Sequence, residues 1–387
     1  MKYDTHVCLV SAQATPNLAP ALDEQWRPRR VVLATSRDMA DRAGYLERIF
    51  KRHAIATERL PIGDAYDYFQ LYDTFFNFLD QQTAAVALNV TGGTKIMAMA
   101  AQEAFHDAGK SVFYVNVATD EVLVLGDRAR GARLSEKLGL AEFLEAHGYT
   151  FTNDIRPAKP RITREQSDLT LRIVDGIERL GAALGELNAI AAAGALIGRL
   201  DERQLQSRPL IELIELFVEG GHIHRAGENL RFASDESRRF VGGSWLEHHV
   251  YKTVGDMAGF RHFADYGMNL KVTAPNGATL NEIDVAFLFR NTLHLIECKA
   301  ANLANQGSSG DDKGTEAIYK LETLLKMGGL RTRGMLIDYR GRLAIARGKS
   351  DMKRVEANYA RAEAAGIRIV SGSAIKTLKN EITQWIA

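Results

Sequence analysis

The spacing of apolar and polar residues shifts along the chain, and each shift predicts a different unit. Early on, short apolar runs alternate with longer amphipathic stretches. His6–Ser11, Arg30–Thr35, Thr57–Ile62, Ala85–Val90, Ser111–Val117 and Glu121–Gly126 have the length and residue types of strands. Ser36–His53, Ala65–Gln82 and Ile96–Ala108 place apolar residues three and four apart, the helical period. Strands alternating with helices of this length predict a mostly parallel sheet. Only Ala118-Thr119-Asp120 separates the last two strands, so they are expected to form a hairpin.

From about Phe151 the pattern changes. Pro157, Lys159 and Pro160 mark a linker, and an Ala/Leu/Gly-rich helical region follows to about Leu205. A helix from Pro209, Gly220-Gly221 and two short polar strands (His222–Arg225, Asn229–Phe232) have the look of a winged helix. A new helix starts after Gly242-Gly243-Ser244. Residues 282–289 alternate polar and apolar and then become wholly apolar, and residues 293–299 do the same. A loop rich in Asn, Gly, Ser and Asp spans Asn302–Gly314. It is followed by a helix (Thr315–Met327), a strand (Arg333–Asp338) and a closing helix–strand–helix. The expected organisation is α/β with units at 1–150, 151–206 and 207–387.

Composition adds limits. The net charge of +1 provides no global basic field, so any polyanion site must be local. No run of roughly 18 apolar residues is present and the N-terminus lacks a signal-peptide core, so no membrane partner and a cytoplasmic location are expected. Cys8 and Cys298 both lie in apolar strands and are expected to be buried free thiols, as suits a reducing compartment.

The densest chemistry lies in Asn281-Glu282-Ile283-Asp284-Val285 and Ile296-Glu297-Cys298-Lys299. Side chains two apart on a strand share a face, so Glu297 and Lys299 point the same way. If Arg290-Asn291 is a two-residue turn, Phe289 pairs with Thr292 and Asp284 falls opposite Glu297, a separation that suits two carboxylates sharing a hard cation. Arg-Asn is not the preferred Asn-Gly turn, and a slip of one residue would send one carboxylate to the other face. The competing reading is a surface salt-bridge ladder on an edge hairpin. The apolar flanks Val285–Phe289 and Leu293–Ile296 oppose it, because buried charges need a metal or a partner.

The second motif is Asn89-Val90-Thr91-Gly92-Gly93-Thr94-Lys95, at the end of a strand and the start of a helix. Ligands bind at that end of open parallel sheets, and a helix start offers free N–H groups to an anion. Ser11-Ala12-Gln13-Ala14-Thr15-Pro16-Asn17 and Thr35-Ser36 end two other strands. Helix capping explains Thr35-Ser36 equally well. Gly109-Lys110-Ser111 and Gly348-Lys349-Ser350 lack the upstream glycine of a P-loop, and no GxGxxG follows the first strand. Arg48 and His53, flanked by Lys51 and Arg52, read as a solvated basic helix face.

Together the motifs resemble a known family. The Asn-x-Thr-Gly-Gly-Thr-Lys loop after a Rossmann-like strand resembles the CARF domain of CRISPR ancillary effectors. Asp284…Glu297-x-Lys299 resembles the PD-(D/E)xK, restriction-endonuclease-like core. The fusion is similar to the cyclic-oligoadenylate-activated CARF–nuclease effectors of type III CRISPR systems. The resemblance implies an N-terminal CARF domain, a helical or winged connector and a C-terminal α/β/α nuclease. It implies a homodimer binding one cyclic tetra-adenylate across its two-fold axis. Mapped here, the ligand residues would be Ser11, Gln13, Thr15, Asn17, Thr35, Ser36, Asn89, Thr91, Gly92, Gly93, Thr94, Lys95 and Met97. It also implies an acidic residue on the first nuclease helix, matched by Glu247, although Ser244-x-x-Glu247 is equally a capping box. The strand reads Asn-Glu-Ile-Asp rather than Pro-Asp, which makes Glu282 a rival ligand.

The expected activity is hydrolysis of DNA and/or RNA. Asp284, Glu297 and the Cys298 carbonyl would bind Mg²⁺ or Mn²⁺, and Lys299 would orient the attacking water. Lys320 could face the site and touch a phosphate, but a solvated lysine is the stronger expectation; Asn302–Gly314 is expected to be a flexible segment that orders on binding. The alternative class is a CARF-type sensor with a non-catalytic winged-helix reader. In it Arg225, Arg231, Arg238 and Arg239 would contact phosphates.

Overall fold

The computed structural model describes residues 3–117, 119–126, 132–135, 138–152, 156–261, 263–278, 282–300, 313–339 and 349–387. The predicted loop at 302–314 lies outside these residues except for its last two positions, which open a helix.

The N-terminal sheet contains β1 (Thr5–Leu9), β2 (Arg30–Thr35), β3 (Ala56–Pro61), β4 (Val86–Asn89), β5 (Ser111–Asn116), β6 (Glu121–Val124) and β7 (Ala132–Arg133). Its order is β3-β2-β1-β4-β5-β6-β7. The first five strands are parallel and β6 and β7 antiparallel, so the predicted hairpin closes the parallel sheet. Helices α1 (Thr15–Leu22), α2 (Ala40–Arg52), α3 (Tyr68–Asp80) and α4 (Lys95–Asp107) connect the strands, and α5 (Leu140–Ala146) ends the unit. The basic face of α2 is exposed, as expected, but it is also paired. Arg48 and Arg52 pair with Glu145 and His53 meets Glu142, all from α5.

β8 (Thr150–Phe151) then pairs with β13 (Val272–Thr273), tying the chain to the C-terminal unit. Next come α6 (Arg164–Asp175), α7 (Ile177–Ala192), β9 (Ile197–Arg199), α8 (Glu202–Leu205), α9 (Arg208–Glu219), β10 (Ile223–Ala226) and β11 (Asn229–Phe232). The sheet order β10-β11-β9 and the element order helix–strand–helix–helix–strand–strand make a complete winged helix from α7 to β11. The sequence reading found only its second half, because β9 is three residues long in an Ala/Gly-rich stretch.

After α10 (Asp235–Arg239) and a turn at Phe240–Ser244, α11 (Trp245–Arg261) leads to β12 (Asp265–Leu270), β13, β14 (Ile283–Phe289) and β15 (Thr292–Lys299). The chain ends with α12 (Lys313–Leu325), β16 (Arg333–Asp338), α13 (Lys349–Ala364), β17 (Ile367–Ser371) and α14 (Leu378–Ile386). The sheet order is β12-β14-β15-β16-β17. Both turn residues, Arg290 (φ 47°) and Asn291 (φ 49°), have positive φ, as a type I′ hairpin requires. Phe289 pairs with Thr292 and Val285 with Ile296. The next step of this register puts Asp284 across from Glu297, so the slip does not occur.

The central sheet is buried on both faces. Ala286, Leu288, Leu293 and Leu295 join a core that continues through Phe143 into the N-terminal unit. Val285, Phe287, Ile296 and Cys298 join a second core with α11 and the winged helix. The period of two thus sorts one hairpin between two cores. The first interface also carries polar contacts. Asn291 Nδ2 donates to Asp120 Oδ1 at 2.9 Å. The Leu140 N–H donates to Asp265, which Arg156 grips at 2.6 and 2.8 Å.

Because this core is continuous, sensor and C-terminal units are expected to unfold together. Phe143→Ala should cost about 3–5 kcal/mol, the usual range for a buried Phe truncation. Calorimetry should show one transition at a lowered temperature. Fluorescence of Trp26 on one side and of Trp245 and Trp385 on the other should change in step. Two separate transitions would refute the shared core.

Candidate active site

The strand ends of β14 and β15 bring three predicted groups together. Asp284 and Glu297 come from facing registers, and Lys299 lies two residues beyond Glu297. Asp284 Oδ2 accepts the Cys298 N–H at 2.7 Å. Glu297 is only 1% exposed, and Lys299 Nζ lies 2.6 Å from its Oε1. Across the sheet from Asp284, β12 is irregular. Met268 pairs with Val285 and Leu270 with Ile283, while Asn269 between them sits at φ 54°. Such backbone is uncommon for a non-glycine residue and marks functional sites disproportionately.

Lys320 corrects the sequence reading. It is not solvated: its ammonium is held 2.8 Å from Glu297 Oε1, 2.7 Å from Oε2 and 3.9 Å from Asp284 Oδ1. The signal was available. Lys320 lies three residues after Ala317 and four before Leu324, on the buried face of α12. Two lysines therefore neutralise one buried carboxylate. Burial alone would lower the Lys299 pKa, but Glu297 and Asp284 outweigh it and raise it.

The remaining carboxylates are less well compensated. Burial and then the Glu297 charge push Asp284 up to about 6, against the pull of Lys320 and Lys299. Glu247, on α11, is pushed up to about 8 by burial and then by Asp284, Glu282 and Glu297. Glu247 thus faces the same cluster, in a groove that it lines with Asp284, Cys298 and Lys299. Glu282 lies further out, half exposed and 4.0 Å from Lys271. The Cys298 thiol is buried and raised well above its ordinary pKa by burial and the neighbouring carboxylates, so it is no nucleophile. Among the described residues no three His, Cys, Asp or Glu side chains form a ready metal cage. The donor set is two carboxylates, one carbonyl and a third carboxylate nearby. All are oxygen, and this fits a hard ion that keeps water and substrate oxygens as further ligands.

The sensor loops converge at the C-terminal ends of β1, β2 and β4. Several predicted ligand residues hold the loops together instead of facing solvent. Asn17 Nδ2 donates to the Leu9 carbonyl at 2.9 Å, and Asn89 Nδ2 to the Pro16 carbonyl at 2.8 Å. Thr91 Oγ1 donates to Asn89 and accepts the Val115 N–H at 2.7 Å. Thr94 caps α4 through the Met97 N–H, and the Met97 side chain is buried. Thr15, Thr35 and Ser36 are also buried. A Cβ on Gly92 would lie 2.2 Å from the Leu9 carbonyl oxygen, so this glycine is needed for loop packing alone. Gly93, at φ +75°, could accept few other residues. Ser11 and Gln13 are partly exposed and Lys95 is exposed. The Gln13 side chain rests against Gly329, in the turn just beyond α12.

These features define a sensor domain of Rossmann-like topology joined to a nuclease-type domain. Comparison with known proteins agrees: residues 5–143 match the family model "Card1 CARF domain" and residues 234–387 the model "Card1-like, endonuclease domain". The chain belongs to the CARF–endonuclease effectors of the Card1 kind. Two solved structures align with nearly its full length. Protein VC1899 from Vibrio cholerae has 23% identity and a TM-score of 0.86, covering 99% of this chain and 97% of that one. Can2 from Sulfobacillus thermosulfidooxidans, solved with cyclic tetra-adenylate, has 25% identity and a TM-score of 0.79 with the same coverages. A type III CRISPR defence DNA nuclease activated by cyclic oligoadenylate has 20% identity and a TM-score of 0.55, covering 88% of this chain and 46% of that one. No curated protein matches by sequence. No helix among the described residues is long and apolar enough to cross a membrane.

The raised carboxylate pKa values fix the sign of a pH effect. Between the unfolded and native pKa values the unfolded state is ionised and the native state still protonated, so stability falls as pH rises. For Glu247 that window runs from about 4.5 to about 8, and for Asp284 from about 3.8 to about 6. In chelator, Glu247→Gln should therefore raise the melting temperature at pH 8 and change it little at pH 4. An equal effect at both pH values would show that the Glu247 charge is not buried beside Asp284.

Proposed function

We propose that the protein is a metal-dependent endonuclease for DNA and/or RNA, active in the cytoplasm and switched on by cyclic tetra-adenylate in type III CRISPR defence. The observation that carries this reading is the Asp284–Glu297–Lys299 cluster at the buried hairpin end, with Glu247 beside it. Asp284, Glu297 and the Cys298 carbonyl would hold Mg²⁺ or Mn²⁺. The ion would supply Lewis-acid activation of the phosphate and of the attacking water. Lys299 orients that water and offsets charge building on the phosphate oxygens. Glu247, which is protonated more readily than an ordinary glutamate, is placed to take or return a proton in the groove. Lys320 holds Glu297 in place and balances its charge.

The sensor half supports a cyclic oligonucleotide as activator. The complex of Can2 with cyclic tetra-adenylate points to the same ligand here. Lys95 supplies an exposed cation beside the loops, and Gly93 gives the loop the positive φ it needs there. A ring of four equal units suits a two-fold interface, so the working form is a homodimer. The winged-helix reader has less support. The exposed face of α9, where such a unit reads a groove, carries Glu212, Glu215 and Glu219, already paired with Arg179, Arg225 and Arg172.

Coupling between the two sites runs most directly through α12. Its far end meets the activator loop where Gln13 touches Gly329, and its middle holds Glu297 through Lys320. A ligand that moves Gln13 would shift the cation on the metal-binding carboxylate.

Cleavage should require Mg²⁺ or Mn²⁺ and stop in EDTA. Asp284→Ala, Glu297→Ala and Lys299→Ala should each lower turnover by at least 100-fold, without loss of cyclic tetra-adenylate binding in calorimetric titration. Lys95→Ala should weaken that binding instead. Full cleavage in chelator, or by Glu297→Ala, would overturn the catalytic assignment.

Gly329→Ala tests the coupling route. Its Cβ would lie 2.6 Å from Gln13 Oε1, so the end of the Gln13 side chain must move, and the φ of +75° strains the turn as well. The ratio of activated to basal cleavage should fall at saturating activator. An unchanged ratio would put the switch elsewhere.

A further inference from the structure

The winged-helix unit has no assigned role: residues 144–233 lie outside both matched domains. Its position is informative. A groove of about 1790 Å³ opens over Glu247, Asp284 and Lys299, and its far wall is the C-terminal half of α7 together with Arg199 of β9 and Gln204 of α8. The winged helix is held there by Asn188 Nδ2, which donates to the Ala300 carbonyl at 2.7 Å, directly after the catalytic lysine. A Cβ on Gly243, at φ +135°, would sit 2.6 Å from the Ala300 Cβ. Wall and catalytic strand are thus locked together at one point.

The groove is lined by both signs of charge. Asp284 and Glu247 are its buried carboxylates. Exposed along it stand Arg161, Arg199, Arg239 and Lys271, each from a different element. Arg199 pairs with Glu228, with both side chains well exposed, and Lys271 lies 4.0 Å from Glu282. Arg161 and Arg239 are exposed, and no ion pair engages them among the described residues. Both are also well placed. The segment bearing Arg161 is pinned by Arg156 and Lys159 to Asp265, with Lys159 Nζ 4.0 Å from the Tyr266 ring. Arg239 ends α10, at the turn that leads into the helix carrying Glu247. Groove acids Glu186 and Glu236 are the counterweight, and Glu186 already pairs with Arg203. With a chain net charge of +1, two uncompensated guanidinium groups beside a catalytic cluster are a local anion site rather than part of a general basic field.

We propose that the winged-helix unit is the far wall of the substrate groove, with Arg161 and Arg239 holding backbone phosphates on either side of the one to be cut. The unit thus keeps the outline of a DNA reader but binds nucleic acid through α7, β9 and the flanking arginines, not through α9. This assignment rests on the nuclease reading given above.

The test uses the full chain with cyclic tetra-adenylate and a labelled oligonucleotide, supplied as a single strand and as a duplex. Binding is followed by anisotropy in EDTA across a salt series, and cleavage separately with Mn²⁺. The double variant Arg161→Glu/Arg239→Glu should bind the oligonucleotide at least about tenfold more weakly. Its log affinity should fall less steeply with log salt, by roughly 0.7 per lost contact for a single strand and 0.9 for a duplex. Its KM should rise while kcat changes little. Arg164→Glu/Arg261→Glu makes the same change in net charge outside the groove and should match wild type. Activator affinity should be unchanged in both variants, which shows that they fold. If both variants weaken binding equally, the effect is general charge and the groove assignment is wrong. If neither weakens it, the substrate takes another path. If wild-type protein neither binds nor cuts nucleic acid with activator and Mn²⁺, the nuclease reading itself fails.

Discussion

A glutamate with 1% exposure on a strand buried on both faces is the constraint around which the C-terminal domain is arranged. Removing a carboxylate from water costs several kcal/mol unless nearby charge replaces the lost hydration. Glu297 is therefore tolerated only where the surrounding elements deliver cations. Its own strand supplies Lys299 two residues later, on the same face. α12 supplies Lys320, whose helix packs on that face through Ala317, Ile318, Leu321 and Leu324. Asp284 and Glu247 add charge that these two lysines do not fully offset, and their raised pKa values express the deficit. The cluster is thus stable enough to fold yet remains short of positive charge.

The same packing joins the two halves. Alternation along β14 and β15 sends one set of side chains into the sensor-side core and the next into the winged-helix core. The hairpin tip adds an Asn291–Asp120 bond, and both residues that make it have positive φ. Asp120 is buried at that contact, and burial is the main cause of its raised pKa. A free swing of the nuclease about residues 151–206 would break this core, so the connector is a poor hinge within one chain.

Much of this was legible in the sequence, and the misses have specific causes. The hairpin register could be read because apolar residues on both sides of Arg290-Asn291 fix the pleat, even though the turn residues are unusual. The strand–helix alternation of the first domain was legible for the same reason. Lys320 was underweighted because a lone lysine on a helix is ordinarily solvated; here the buried face was defined by Ala317 and Leu324, one turn on either side. The basic stretch Arg48–His53 is exposed as its pattern suggests, but its ion pairs were not legible, because Glu142 and Glu145 lie 97, 93 and 89 residues from Arg48, Arg52 and His53. No local pattern reports such a contact. The glycine loop was located from its motif, but the split between residues facing a ligand and residues holding the loop depends on bonds such as Asn89 to Pro16, which span separate strand ends.

Activation has to work within this rigidity. A continuous close-packed core does not deform smoothly; it passes between discrete packings, and small shifts at one end of a stiff element reach the other. α12 is such an element: thirteen residues, roughly 20 Å long at 1.5 Å per residue. One end leads into Gly328-Gly329, where glycine leaves room for the Gln13 side chain and no bulk cushions the contact. Its middle carries the ammonium that touches both oxygens of Glu297. Charge interactions at that depth vary steeply with distance because little water screens them. A sub-ångström displacement of α12 therefore changes the field on Glu297 far more than it changes the packing. Under the proposed function, that asymmetry would let a small ligand in the sensor govern catalysis without opening the shared core.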